Sequence, residues 1–137
     1  MDNLTTYDGG CHCGAVRFRI RLLPTERVVA DCNCSICRKK GFLHLIVPPA
    51  RFELMRGQDA LSTYTFNTGV AQHWFCRICG IHSFYRPRSH PNDYDVNVRC
   101  LDGEALAEFR IEPFDGANWE QNVAALDAVF PDTPAAE

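Results

Sequence analysis

The sequence lacks every feature that would attach the chain to a membrane or export it. No apolar run approaches the roughly 20 residues that span a bilayer, and no lipid-attachment motif is present. Residues 1–7 have neither the basic start nor the apolar core of a signal peptide. We therefore expect a cytoplasmic protein without membrane contacts.

Internal repeats, linkers and signs of a second domain are missing as well. A chain of 137 residues with 46% hydrophobic and 23% charged residues has the length and composition of one ordinary globular domain. We expect this domain to span residues 1–130. Residues 131–137 are predicted to form a disordered tail.

The chain has no excess of positive charge. It carries 14 Lys and Arg against 17 Asp and Glu, for a net charge of −3. Thiols that bind zinc are deprotonated, so two Zn²⁺ ions on seven thiolates would make the total about −6. Nonspecific binding of nucleic acid depends mainly on Lys and Arg contacting phosphates. We therefore expect no general affinity for nucleic acid, although a local basic patch could still bind it.

Cysteine is the residue type that the sequence has in abundance. Seven of the eight cysteines fall into three tight groups: Cys11 and Cys13; Cys32, Cys34 and Cys37; Cys76 and Cys79. Thiols separated by one or two residues can point at one metal ion, and zinc prefers such soft ligands. The alternative, a set of disulfides, would require an oxidising compartment. The spacing favours a protein with two zinc ions.

The three groups divide naturally into two sites. Two short pairs, Cys11 with Cys13 and Cys76 with Cys79, complete a closed site of four thiolates, which is typical of structural zinc. The three-cysteine group is one ligand short. A replaceable water would make that site catalytic, whereas a fourth protein ligand would make it structural. Candidates for that ligand are His44, His73, His82 and Cys100.

Short alternating segments predict a mainly β domain with few helices. The run at 15–22 alternates apolar and basic residues, the pattern of a strand with one exposed face. Further strands are predicted at 28–32, 43–47, 62–68, 71–75, 82–85 and 94–99. The clearest helix signal covers 118–129, and single turns are expected at 38–41 and 49–52.

Four segments carry a resemblance to a known family. They are GCHCGAV at 10–16, CNCSIC at 32–37, FCRICGIH at 75–82 and FDGANWE at 114–120. In this order they resemble the glutathione-dependent formaldehyde-activating enzyme family. Residues 31–88, with TYTFNT at 63–68, are similar to its centromere protein V branch.

The resemblance implies a β-rich, Mss4-like (β-tent) fold. It implies a structural zinc on Cys11, Cys13, Cys76 and Cys79, and a second zinc on the three-cysteine group, in agreement with the spacing. The activity it implies is that of a carbon-sulfur lyase, an S-(hydroxymethyl)glutathione synthase in which glutathione adds to formaldehyde. The alternative, suggested by the centromere protein V branch, is a noncatalytic, zinc-stapled module that binds a protein or a chromosome-associated partner.

Two mechanisms are open for such a zinc. It could turn the thiol of glutathione into a thiolate, because coordination lowers a thiol's pKa. It could instead polarise the oxygen of the aldehyde as a Lewis acid. The sequence does not choose between them.

Histidines and cations near the cysteines are further candidate site residues. His73 and His82 flank the pair at Cys76 and are candidates for a general acid or base. Arg38 and Lys39 follow the three-cysteine group and could bind the carboxylates of glutathione. The alternatives for these two cations are a solvated face that offsets thiolate charge and a nucleic-acid patch. His44, in an apolar strand, is expected to be a core or pocket residue.

Overall fold

The computed structural model of the protein describes residues 3–130. Within them it has ten strands: β1 Thr5–Gly10, β2 Arg17–Leu22, β3 Val28–Cys32, β4 Leu43–Val47, β5 Phe52–Arg56, β6 Leu61–Tyr64, β7 His73–Cys76, β8 Phe84–Tyr85, β9 Tyr94–Asn97 and β10 Arg110–Phe114. The α-helices of this part are α1 Ser35–Lys40 and α2 Trp119–Val129. The predicted mainly β fold is confirmed. The predicted tail at 131–137 lies outside the described residues.

The strands form three sheets. β1, β2 and β5 form an antiparallel sheet, and β6 pairs with β7 in a two-stranded hairpin. The largest sheet has the order β10-β3-β4-β9-β8. All of its pairings are antiparallel except that of β10 with β3, which is parallel. This parallel pairing brings the segment after β10 beside the cysteines that follow β3.

Alternation explains the strand β2. Phe18, Ile20 and Leu22 are fully buried, and the arginines between them lie on the other face. Because successive side chains of a strand point to opposite faces, this pattern fixes which face packs on the core.

Aromatic rings join the sheets. The ring of Phe52 in β5 stacks on that of Tyr94 in β9, with 4.1 Å between the ring centroids. The ring centroids of Phe52 and of Phe84 in β8 are 4.8 Å apart. Trp74 of β7 contacts Phe84 at 5.8 Å. Such pairs contribute about 0.5–1.5 kcal/mol each beyond the area that they bury. The core thus lies where the three sheets meet.

Two strand predictions were wrong at their C-terminal ends. The predicted strand 94–99 stops at Asn97, because a 3-10 helix, Val98–Cys100, follows it. The predicted strand 62–68 stops at Tyr64, because the chain turns at Asn67 and Gly69, which have φ of 56° and 74°. The N–H of Gly69 donates to the carbonyl of Phe66 at 3.0 Å and closes this turn. Residues 65–72 are therefore a loop. No helix of the described residues is long and apolar enough to cross a membrane.

Candidate functional site

The first cluster joins two cysteine pairs that lie far apart in the chain. The thiols of Cys11, Cys13, Cys76 and Cys79 all lie within 4.8 Å of one another. Cys13 Sγ is 3.7 Å from Cys11 Sγ and 3.6 Å from Cys76 Sγ. Four sulfurs at this spacing are the ligand set of a closed tetrahedral metal site.

Tight backbone turns position these thiols. Gly80 has a φ of 79°, and its N–H donates to the carbonyl of Cys76 at 2.7 Å. Burial opposes ionisation of Cys79, but N–H donors of Cys13 and Ile81 and the neighbouring thiols lower its pKa to about 6. A thiol that ionises easily is prepared to bind metal.

The second cluster contains the thiols of Cys32, Cys34 and Cys37, which also lie within 4.8 Å of one another. Cys32 ends β3, Cys34 caps the N-terminus of α1, and Cys37 lies in its first turn. Cys34 Sγ accepts a hydrogen bond from the Cys37 N–H at 3.4 Å. Hydrogen bonds from the Cys32 and Cys37 thiols, with help from backbone N–H groups, lower the pKa of Cys34 to about 2. A short strand-to-helix loop thus supplies three sulfurs.

These three cysteines line a cavity of about 520 Å³. Three further segments line it, from Phe66 to Ala71, from Pro87 to Ser89 and from Phe114 to Trp119. Strands β4, β7, β8 and β9 contribute His44, His73, Tyr85 and Asp95. Concave sites for small ligands typically measure about 300–1,000 Å³. The second cluster, unlike the first, therefore borders a space that can hold a small molecule.

Gly116 packs directly against the second cluster. A Cβ added there would lie 2.3 Å from Cys32 Sγ and 3.1 Å from Cys34 Cβ, so only glycine fits. Asn33 holds the residues on either side of Gly116 in place through two hydrogen bonds. Its Nδ2 donates to Asp115 Oδ1 at 3.0 Å, and its Oδ1 accepts the Ala117 N–H at 2.8 Å.

A buried histidine and carboxylate support Cys37. His44 Nε2 is 3.2 Å from Cys37 Sγ, and His44 Nδ1 is 2.7 Å from Asp95 Oδ2. The imidazole is outside the set of ligand atoms that lie within 4.8 Å of one another. It contacts one sulfur and is itself oriented by a carboxylate, an arrangement that typically surrounds metal ligands.

The two predicted catalytic histidines have different surroundings. His73 lines the cavity, and burial, followed by the charge of Lys40, lowers its pKa to about 4. His82 is not among the residues that line the cavity; its ring lies 5.2 Å from that of Phe75. Burial and Lys40 also lower the pKa of His82 to about 4. Of these two histidines, His73 alone is among the residues that line the cavity with the three cysteines.

The two predicted carboxylate-binding cations also differ. Arg38 is exposed and lines the cavity, and in the described part of the chain no hydrogen bond or ion pair engages its guanidinium. Lys39 is also exposed, but it is not among the residues that line the cavity. Arg88 lines the cavity too, but it donates to Glu120 at 2.6 Å and lies 3.8 Å over the ring of Trp119.

Comparison with known proteins identifies the family. The family model described as glutathione-dependent formaldehyde-activating enzyme matches residues 6–116, which include all seven clustered cysteines. The chain belongs to this family. The resemblance inferred from the four sequence segments is confirmed.

Two proteins illustrate what this member of the glutathione-dependent formaldehyde-activating enzyme family is similar to. A Halomonas elongata protein that bears this enzyme name, qualified there as putative, is 34% identical over 80 residues, covering 53% of this chain and 50% of that protein. The chain thus matches about half the length of this curated relative. A Rhodobacter sphaeroides protein with a crystal structure is 38% identical with a TM-score of 0.67, covering 77% of this chain and 99% of that one.

Sequence reasoning missed part of the cavity of this family member. Gly116 and Asn33 were not recognised as site residues, although both lie in segments that carried the family resemblance. Asp95 left no local signal, because it reaches His44 through the pairing of β9 with β4. The family segments were therefore the signal that could have located the wall of the cavity.

Proposed function

We propose that the protein is a zinc-dependent enzyme of the carbon-sulfur lyase type. It adds a thiol such as glutathione to formaldehyde or a similar small aldehyde, as an S-(hydroxymethyl)glutathione synthase does. The observation that carries this proposal is that three thiols with the spacing of metal ligands border a cavity of about 520 Å³. Membership of the family supports the choice of glutathione and formaldehyde.

The residues of both clusters fit zinc. Cys11, Cys13, Cys76 and Cys79 provide the four soft sulfurs of a structural zinc site. Cys32, Cys34 and Cys37 provide three, and their border with the cavity leaves room for a fourth ligand from solution. Zinc bound there would supply positive charge that lowers the pKa of a thiol or polarises an aldehyde oxygen.

Side chains around the cavity have separate roles in the proposed reaction. Arg38 binds a carboxylate of glutathione at the mouth, because its guanidinium is free among the described residues. We assign the catalytic role to His73 rather than to His82, since His73 lines the cavity. Lys39 lies outside the lining and contributes only long-range attraction.

The reaction conserves all atoms. The sulfur of the thiol forms a bond to the carbonyl carbon, the π electrons of the carbonyl move onto its oxygen, and the thiol proton ends on that oxygen. The lyase direction is the reverse.

The test is exchange spectroscopy with ¹³C-formaldehyde and glutathione, using zinc-loaded protein. Wild type should accelerate exchange between formaldehyde and its glutathione adduct above the uncatalysed rate, and Cys34→Ser should abolish this acceleration. Arg38→Glu should raise the KM for glutathione about 1.5- to 5-fold, as expected from the roughly 0.2–1 kcal/mol of an exposed ion pair. Lys39→Glu, the same charge change beside the cavity, should have a smaller effect. No acceleration by the zinc-loaded wild type would refute the proposed activity.

A further inference from the structure

Lys40 contacts His73 and Tyr85, two residues that line the cavity. Its Nζ is 4.5 Å from the centroid of the Tyr85 ring and 4.8 Å from that of Phe42. The same Nζ is 3.2 Å from Nδ1 of His73. Lys40 belongs to the charged segment 38–40, yet its ammonium contacts the imidazole of His73.

The surroundings of Lys40 act on its charge in opposite directions. Burial lowers the pKa of Lys40, but the charges of Cys37, Asp95 and Cys34 oppose that shift. The faces of the two aromatic rings attract a cation as well. A lysine ammonium has three N–H donors and no acceptor. Lys40 can therefore only donate to His73, and Nδ1 must accept.

The imidazole of His73 is neutral and fixed in place. Burial, followed by the charge of Lys40, lowers its pKa to about 4. Its ring stacks on that of Tyr85 at 4.7 Å, with 13° between the planes, and on that of Phe66 at 5.4 Å. A neutral imidazole with Nδ1 as acceptor carries its one proton on Nε2. Within residues 3–130, no hydrogen bond engages this Nε2.

We propose that Lys40 holds His73 in the Nε2–H tautomer and that this N–H donates a hydrogen bond to the oxygen of a small carbonyl substrate in the cavity. The proposal rests on the proposed thiol addition. As the carbon-sulfur bond forms, negative charge develops on the carbonyl oxygen, and a fixed donor stabilises that charge. His73 keeps its proton, while the oxygen receives the proton that the thiol gives up. His73 would then be a catalytic hydrogen-bond donor, and Lys40 its positioning residue.

The tautomer can be measured without any reaction. In zinc-loaded protein, ¹⁵N NMR of the His73 ring should show a protonated Nε2 and an unprotonated Nδ1, with widely separated shifts. In Lys40→Met the donor is lost, so the two shifts should move toward each other as both tautomers become populated. Lys40→Arg, which keeps a cationic donor, should restore the separation. A protonated Nδ1 in wild type, or unchanged shifts in Lys40→Met, would overturn the proposal.

Two substitutions of His73 test the donor itself. His73→Gln keeps an amide N–H near the place of Nε2, and His73→Phe keeps an aromatic ring without a donor. Loss of one such donor typically costs about 10²–10³ in kcat. We therefore expect His73→Phe to lose about 100-fold in kcat at little change in the KM for glutathione, and His73→Gln to lose much less.

The two kinds of measurement separate the two proposals. Equal rates for His73→Phe and wild type, or equal losses in His73→Phe and His73→Gln, would refute the donor role. A zinc-loaded wild type that does not accelerate the reaction would refute the proposed function, and the NMR experiment would still decide the tautomer.

Discussion

Replacing Gly116 with Ala should remove the metal from the three-cysteine group. The backbone of Gly116 is not in the left-handed region, so the change carries no conformational penalty. The new Cβ would, however, lie 2.3 Å from Cys32 Sγ, more than 1 Å inside ordinary contact. Overpacking of this kind costs about 1–3 kcal/mol. At about 3–4 °C per kcal/mol for a domain of this size, Tm should fall by roughly 3–12 °C.

The same clash displaces a ligand. Metal ligands tolerate deviations of only about 0.2 Å, so a sulfur moved by about 1 Å should no longer complete its site. Elemental analysis should find about two zinc ions per chain in the wild type and about one in the variant.

Gly103→Ala is the matched control. Gly103 has a φ of 65°, and no atom lies within 4 Å of the position that a Cβ would take there. The substitution therefore strains the backbone without touching a sulfur. The strain costs about 1–2 kcal/mol, comparable with the clash at Gly116. The Tm of Gly103→Ala should fall by a similar amount, and the variant should keep both zinc ions. If Gly116→Ala also keeps both zinc ions, the backbone around residue 116 has moved and Cys32 Sγ has not. That result would refute the predicted displacement of the sulfur.

Three further predictions concern other parts of the site. Cys76→Ser should lower Tm sharply, while Cys34→Ser should lose one zinc at a smaller cost in Tm; equal losses would contradict the division into structural and working sites. Asp95→Asn should weaken metal binding about 10- to 100-fold in a chelator competition, because the carboxylate orients His44 against Cys37; unchanged affinity would contradict this support. The pKa of His73 is about 4 in the folded protein and near 6.5 in the unfolded chain. The unfolded chain therefore binds more protons between these two pH values, so the free energy of unfolding should fall as the pH is lowered through this window. Wild type should then lose more Tm than His73→Gln between pH 7 and pH 5 at equal zinc content, and equal losses would contradict the shift.

The two thiol clusters could be predicted from the sequence because their signal is local. Each cysteine pair or triplet is contained in at most six residues, and its spacing alone brings the thiols together. The exposed and buried faces of β2 were equally readable, since alternation is a property of neighbouring residues.

The wall of the cavity could not be predicted in this way. Gly116 meets Cys32 only because β10 pairs in parallel with β3, and no local pattern encodes a pairing over such a separation. The orientation of Lys40 was within reach of the sequence. Once α1 begins at Ser35, residues three apart share a face, so Lys40 follows Cys37 toward the interior.

The separation of metal ligands from cavity walls has a consequence for the diversity of such proteins. The sulfurs come from β3 and α1, whereas the segments from Phe66 to Ala71 and from Pro87 to Ser89 are loops elsewhere in the chain. Loops tolerate changes in length and composition far better than the strands that carry them. Under the proposed function, substrate preference can therefore be redesigned by exchanging these loops while the segments that carry the cysteines stay unchanged.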